Sequence, residues 1–196
     1  MNKDLYENFK QLRARHLRAE ASEAMADFLK SFASIEEKRT FTYWFFKNDF
    51  DGKKIRRDLY ENVVFPALVE GYKSSDPWSI KSLAETEENL YEAKQLWSQI
   101  GYKTKLLLLR QYLGLRPNDY TARRRLLTEQ INSLRYCEQD WPAAIIYGQH
   151  AATETECKKI AEEITFARTL DKENKYKSFV DEFEAKLESY RKRFRK

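Results

Sequence analysis

Glycine, proline and cysteine are all scarce in this chain of 196 residues, which contains 5 Gly, 4 Pro and 2 Cys. Few glycines and prolines argue against a β-sandwich or a β-barrel, because those folds need many tight turns. The two cysteines, Cys137 and Cys157, are too few for a disulfide framework or for a zinc site with four cysteine ligands. Gly-rich phosphate-binding loops and local signatures of a catalytic nucleophile are missing too, so we expect a protein that is not an enzyme.

Long apolar runs are also missing. The densest ones, residues 41–46 and 143–147, are far shorter than the roughly 20 residues that a membrane-spanning helix requires. Residues 1–7 are polar and lack the apolar centre of a secretory signal. We therefore expect a cytoplasmic protein without a membrane partner.

Charged and aromatic residues are abundant instead. Charged residues make up 34% of the chain and aromatic residues 14%, and 36 Lys and Arg outnumber 31 Asp and Glu to give a net charge of +5. The aromatic side chains provide enough buriable surface for a core, which excludes a mainly disordered chain. The small excess of positive charge allows an anionic partner without requiring one.

Helical periodicity recurs along nearly the whole chain. Capping-box patterns at residues 34–37 and 153–156 indicate two helix starts, and an acidic residue before proline at 76–77 indicates another. No window alternates polar and apolar residues for long enough to predict a strand. The sequence predicts an all-α fold in which residues 1–196 form a single domain. We expect about seven to nine helices packed as consecutive antiparallel hairpins, as in a helical bundle or a short solenoid.

Several individual helices follow from the same periodicity. Residues 3–31 are expected to form one helix, and residues 77–101 another. A short apolar helix is expected at 143–150, with an acidic cap and a proline just before it. Aromatic side chains surround the axis of the helix that starts at residue 35, so we expect that helix at the centre of the fold. Pro66 is expected to kink or break its helix.

One helix pair has a counterpart in a known family. Residues 85–101 and 102–117 have about the lengths of two paired helices, and 115–118 read Leu-Arg-Pro-Asn. Counted back from Pro117, Ala93 falls on the small-residue position where the tetratricopeptide family packs its helices closely. This stretch, about a sixth of the chain, resembles a tetratricopeptide repeat. The resemblance implies stacked helical hairpins and a concave binding face.

A metal site is the least favoured of the functional hypotheses. His150, Glu154 and Cys157 have the spacing i, i+4 and i+7, so one helix could present all three to zinc or another transition metal. Thr153 reads as a helix start, however, and a break there separates the three side chains. We therefore expect no metal ligands and no cofactor, and a metalloenzyme at His150 remains only a third hypothesis.

Basic clusters suggest an anionic partner. Arg123, Arg124 and Arg125 lie near the start of a helix, where the helix dipole disfavours cations, so their presence there suggests a partner outside the chain. Further clusters occur at residues 13–18, 53–57 and 191–196. If these clusters converge in space, they suit phosphate groups, and the chain is then a helical nucleic-acid-binding protein.

Binding to another protein is the function that we expect first. Tyr102, Tyr120 and Trp141 lie near predicted helix ends, where aromatic rings are often partly exposed, and Tyr, Trp and Arg dominate interface hot spots. The candidate partner-binding residues are these three rings together with the arginines at 123–125. We expect a non-catalytic protein-interaction module, with an immunity or antitoxin-like protein that occludes its partner as a narrower hypothesis. The oligomeric state stays open.

Overall fold

The computed structural model describes residues 3–195 of the chain and the side chains of residues 3–194. Most of these residues are helical, which confirms the predicted all-α class. The described residues up to Leu115 form one compact unit, and those from Arg116 onward form a second. A single domain and a regular succession of antiparallel hairpins stay predictions.

The first unit consists of helices of very different length. They are α1 (Lys3–Ala14), α2 (Arg18–Lys30), α3 (Ile35–Asn48), α4 (Arg57–Leu59), α5 (Phe65–Lys73), α6 (Pro77–Glu85), α7 (Glu87–Glu92), α8 (Lys94–Trp97) and α9 (Lys105–Leu115). A π-helical turn, Tyr60–Val64, joins α4 to α5, and a 3₁₀ turn, Ser98–Ile100, follows α8. Helix α1 packs on α2, α3 packs on α5, and α6 packs on both α5 and α9.

Aromatic rings fill much of the core of this unit. Phe28 and Phe41 are fully buried, with ring centroids 4.9 Å apart, and Tyr6 lies 5.2 Å from both of them. Tilted and edge-to-face contacts of this kind add to the free energy gained from burying the rings. The first three helices are therefore held together by one aromatic cluster.

The predicted helix over residues 3–31 is wrong, because the chain turns back between α1 and α2. His16 is exposed and has φ of 62°, a left-handed conformation that interrupts helical hydrogen bonding. The turn lets the buried face of α1, with Phe9, pack against the buried face of α2, with Phe28. Two segments of one continuous straight helix cannot pack against each other. Burial of the apolar faces of α1 and α2 therefore favours the turn at His16.

Pro66 does not break its helix. Residues 57–73 are helical throughout, and the π-helical turn lies immediately before α5, in which Pro66 is the second residue. Proline lacks an N–H donor, and its ring clashes with the carbonyl four residues earlier in an α-helix. The wider π turn moves that carbonyl, Asn62, out of the α-helical position, which explains how the helix passes through proline.

The predicted helix over residues 77–101 is also wrong, since it is interrupted twice. Helix α6 ends at Glu85, and Ala93, with φ of −110° and ψ of 69°, separates α7 from α8. The buried amide of Asn89 accepts from the Ile55 backbone N–H (3.0 Å) and donates to the Ile55 carbonyl (2.7 Å). This tertiary contact positions α7 in a way that helical periodicity cannot predict.

Helix α3 does not lie at the centre of the fold. Phe41 and Phe45 are buried, but Tyr43 on the same helix is 57% exposed, and Phe46 is only half-buried. The helix therefore has an inner face and an outer one. Its aromatic residues extend round the axis because both faces carry rings, rather than because neighbouring helices surround it.

The second unit is built on three long helices. These are α10 (Tyr120–Cys137), α11 (Glu154–Leu170) and α12 (Lys177–Arg191), and α12 runs into a 3₁₀ turn, Lys192–Arg195. Helix α11 packs on both α10 and α12. The core of this unit comprises apolar residues of all three helices: Leu127, Ile131, Leu134, Cys157, Ile160, Ile164, Val180, Phe183 and Leu187.

A small β-hairpin replaces the helix predicted over residues 143–150. Strand β1 (Ile146–Tyr147) pairs with the antiparallel strand β2 (His150–Ala151), and Gly148 in the connecting turn has φ of 63°. Two-residue strands are too short to show alternation in the sequence, so this segment resembles an apolar helix. Tyr136 of α10 donates to the Gly148 carbonyl (2.8 Å), which attaches the turn to the helix.

Helix caps agree closely with the sequence. The side chains of Ser34, Asp76, Asp119 and Thr153 each accept a backbone N–H from three residues further along. The full capping box at Thr153 is present, because Glu156 reaches back to the Thr153 N–H (2.9 Å). Across residues 3–195, the helices are too short or too polar to span a bilayer.

Candidate partner-binding surfaces

Three of the six residues predicted to bind a partner lie around one cavity of the second unit. Tyr120, Arg123 and Arg124 come from the first two turns of α10, and the 171–176 loop between α11 and α12 provides the opposite wall. We call this the basic cavity, and its volume is about 50 Å³. The residues that line it are Tyr120, Arg123, Arg124, Leu127, Thr128, Leu170, Asp171, Lys172, Glu173, Lys175 and Tyr176.

The two aromatic rings of the basic cavity each lie under a cation. The Arg124 guanidinium carbon is 5.7 Å from the ring centroid of Tyr120, and Lys175 Nζ is 5.2 Å from that of Tyr176. Tyr120 is 50% exposed, and its hydroxyl donates to the Glu173 carboxylate. That hydrogen bond raises the pKa of Tyr120 above its usual value, and it also restrains the orientation of the ring.

The carboxylates of the basic cavity are already engaged. Asp171 is buried, and its two oxygens accept the backbone N–H groups of Lys175 (2.9 Å) and Tyr176 (2.7 Å). Glu173 accepts the Tyr120 hydroxyl. Among residues 3–195, no carboxylate forms an ion pair with the four cations lining this cavity. Arg124, Lys172 and Lys175 are exposed, and the half-buried Arg123 donates to the Pro117 carbonyl (2.6 Å).

The other three predicted residues lie elsewhere. Arg125 follows Arg124 on α10 but does not line the cavity. Trp141 is half-buried and packs against the core of the second unit. Tyr102, in the first unit, is 57% exposed, and its ring packs edge-on against Trp97 at 5.5 Å between centroids. Packing against this core therefore explains the presence of the Trp141 ring without a binding partner.

The first unit carries a further surface, formed by residues other than those predicted to bind a partner. Tyr43, Phe46 and Phe50, at or just beyond α3, meet Trp78 of α6 around an open groove of about 450 Å³, which we call the aromatic groove. The ring centroids of Tyr43 and Trp78 are 4.6 Å apart, and those of Phe46 and Trp78 are 5.6 Å apart. Trp78, Phe46 and Phe50 are half-buried, and Tyr43 is exposed.

Charged residues also line the aromatic groove. Lys47, Lys81 and Glu85 line it together with Ser82, and Lys47 is exposed. A sequence signal for this surface did exist, since Tyr43, Phe46 and Phe50 have the spacing i, i+3 and i+7 of a second stripe on the outer face of α3. Trp78 is distant in sequence, so its arrival at the groove depends on how α6 packs.

A third cavity, of about 320 Å³, lies beside the 49–56 loop and is mainly polar. Its central carboxylate, Asp49, accepts hydrogen bonds from the Tyr6 hydroxyl (2.7 Å) and from Lys10 Nζ (2.5 Å). Burial and the hydrogen bond to Asp49 raise the pKa of Tyr6. Because these groups bond to one another, the cluster ties α1 to the end of α3 and is accounted for by the fold.

The hypothetical metal ligands are not brought together. His150 lies in β2 and is exposed, with its Nε2 3.8 Å from Glu156, while Cys157 is fully buried in α11. Within residues 3–195, no group of three or more His, Cys, Asp or Glu side chains is placed to hold a metal ion. The break at Thr153 accounts for the separation.

Comparison of the sequence and the fold with protein-family models, with curated proteins and with solved structures gives no match. The functional argument therefore depends on the two surfaces themselves: the aromatic groove of the first unit and the basic cavity of the second.

Proposed function

We propose that this protein is a non-catalytic interaction module and that the aromatic groove of its first unit binds another protein. The supporting observation is the pair of Tyr43 and Trp78, two large rings in contact at the edge of a groove of about 450 Å³. Tyrosine and tryptophan contribute large contact areas at a small cost in side-chain entropy, and they dominate measured hot spots.

The groove has the features of an interface rather than of an incomplete core. Aromatic and charged side chains line it together, a combination typical of interfaces in which an apolar centre is accompanied by polar contacts. The partner that fits is a protein segment with an apolar side chain for the space between the rings. A carboxylate on the same segment would pair with the exposed Lys47.

A matched pair of tyrosines provides the test. Tyr43 and Tyr102 are both 57% exposed, both belong to the first unit, and only Tyr43 lies at the groove. The tagged full-length protein and its Tyr43→Ala, Trp78→Ala and Tyr102→Ala variants are used to capture proteins from a host extract. Circular dichroism confirms that each variant is folded.

We expect a protein that is retained by the unaltered chain and by Tyr102→Ala, but lost with Tyr43→Ala and Trp78→Ala. Titration of that partner should show at least about 30-fold weaker binding to Tyr43→Ala, since a hot spot contributes about 2 kcal/mol or more. Retention of the same proteins by all four forms contradicts the proposal. Loss with Tyr102→Ala alone places the surface at Tyr102 instead. A cytoplasmic location and an immunity or antitoxin-like role remain predictions.

A further inference from the structure

We propose that the basic cavity of the second unit binds single-stranded nucleic acid, with its cations on the phosphates and the Tyr120 ring against a base. This site uses other residues than the aromatic groove and does not depend on the proposed protein partner. The juxtaposition that carries it is an exposed ring flanked by cations without acidic partners.

The charge of the cavity is available to a ligand. Arg123, Arg124, Lys172 and Lys175 line it, whereas its two carboxylates are engaged by backbone N–H groups and by a tyrosine hydroxyl. Several cations elsewhere in the same unit are paired with carboxylates. Lys177 pairs with Asp181, and Arg168 bonds both Asp181 and Glu184 at 2.8 Å. The basic cavity therefore combines two aromatic rings with four cations that have no carboxylate partner within the described part of the chain.

The ring of Tyr120 is prepared for stacking. It is half exposed, and its hydroxyl is tied to Glu173, so less side-chain entropy is lost when a base packs on it. Leu127 and Leu170 provide an apolar floor beside it. Alternating rings and cations suit a strand in which bases alternate with phosphates.

An acidic peptide is the main alternative ligand, because its carboxylates also seek cations. Its carboxylates by themselves make no use of Tyr120 or of the apolar floor, whereas a nucleic acid has a flat ring at every residue. The structure therefore favours the nucleic acid, and the acidic peptide becomes one outcome of the test.

Lysines two positions apart allow a charge-matched experiment. Binding of a fluorescent single-stranded RNA of about 12 nucleotides is followed by anisotropy with the full-length protein, at several salt concentrations. Lys175→Gln removes a cation that lines the cavity, and Lys177→Gln removes one that is paired with Asp181. Both variants change the net charge equally.

We expect dissociation constants in the micromolar range, weakening as salt rises. Lys175→Gln should bind about three- to tenfold more weakly and should lower the slope of log K against log salt by about 0.7, the value for one lost phosphate contact on a single strand. Lys177→Gln should leave the affinity and the slope close to those of the unaltered protein. Equal losses in both variants contradict a local site and overturn the proposal.

Stacking of a base on the Tyr120 ring is tested separately. Tyr120→Leu should weaken binding by about tenfold or more, while Tyr120→Phe, which keeps the ring, should stay within about threefold. Equal weakening by both substitutions overturns the role of the ring. The proposal also fails if the RNA does not bind at low salt, or if polyglutamate of equal charge competes as well as unlabelled RNA does.

Discussion

Replacement of Gly71 by alanine should destabilise the first unit, although alanine is normally the better helix former. Gly71 lies in α5 and faces Ser79 of α6. A Cβ added at this position would be 2.0 Å from Ser79 Oγ and 2.7 Å from Ser79 Cβ. The second distance cannot be relieved by rotating the serine hydroxyl, so the two helices must move apart.

The expected cost follows from three contributions. Alanine in a helix gains about 1 kcal/mol over glycine. Overpacking of a close contact costs about 1–3 kcal/mol. Ser79 is buried and its hydroxyl donates to Asp76 at 2.6 Å, a bond to a charged group whose loss costs about 1.5–3 kcal/mol. The net expectation for Gly71→Ala is a loss of about 2 kcal/mol or more in the free energy of unfolding.

Gly114 is the matched control. It lies in α9, its φ is not positive, and a Cβ there meets no atom within 4 Å. Gly114→Ala should therefore raise the free energy of unfolding by about 0.5–1 kcal/mol. The two variants make the same chemical change in the same unit and are predicted to have opposite signs.

Urea unfolding followed by circular dichroism measures both effects. A double-mutant cycle with Ser79→Gly isolates the contact, because that substitution removes both atoms that the new Cβ meets. Gly71→Ala should cost clearly less in the Ser79→Gly background than alone. If Gly71→Ala is as stable as Gly114→Ala, or if its cost is the same in both backgrounds, α5 and α6 are not in the described contact.

Two further predictions concern the second unit. Arg168, with its guanidinium 2.8 Å from Asp181 and from Glu184, holds the pKa of Glu184 below its usual 4.5, so Arg168→Ala should cost about 0.5–1 kcal/mol of stability at neutral pH. This stabilisation is present above pH 4.5, the pKa of an unperturbed glutamate, and is lost as the pH falls through the lowered pKa of Glu184. Urea unfolding at about pH 3 should therefore show a smaller stability difference between the unaltered protein and Arg168→Ala than at neutral pH. A difference of the same size at both pH values argues against the ion pair. Burial raises the pKa of Cys137 to about 11 and also raises that of Cys157. Neither thiol should react with Ellman's reagent in the folded protein at about pH 8, and both should react in urea; stoichiometric labelling of the folded chain contradicts their burial.

The candidate surfaces differ in how far the sequence predicts them. Tyr120, Arg123 and Arg124 have the spacing i, i+3 and i+4, so helical periodicity alone places them on one face of α10. Lys175 and Tyr176 reach that face only because α11 packs on α10 and the following loop returns there. The sequence predicts the aromatic groove only in part. The spacing of Tyr43, Phe46 and Phe50 places these rings on one face of α3, but the exposure of Tyr43 and the approach of Trp78 depend on tertiary packing.

Local chemistry in the sequence determined that this chain is helical and where several helices begin. A cap at Ser34 or Thr153 involves side chains and N–H groups three residues apart, so nothing distant is needed to form it. The turn at His16, the breaks around α7 and the β-hairpin were decided by tertiary structure. At each of them, burial of apolar faces or a hydrogen bond from a remote residue outweighs local helix propensity, which contributes only about 1 kcal/mol or less per residue.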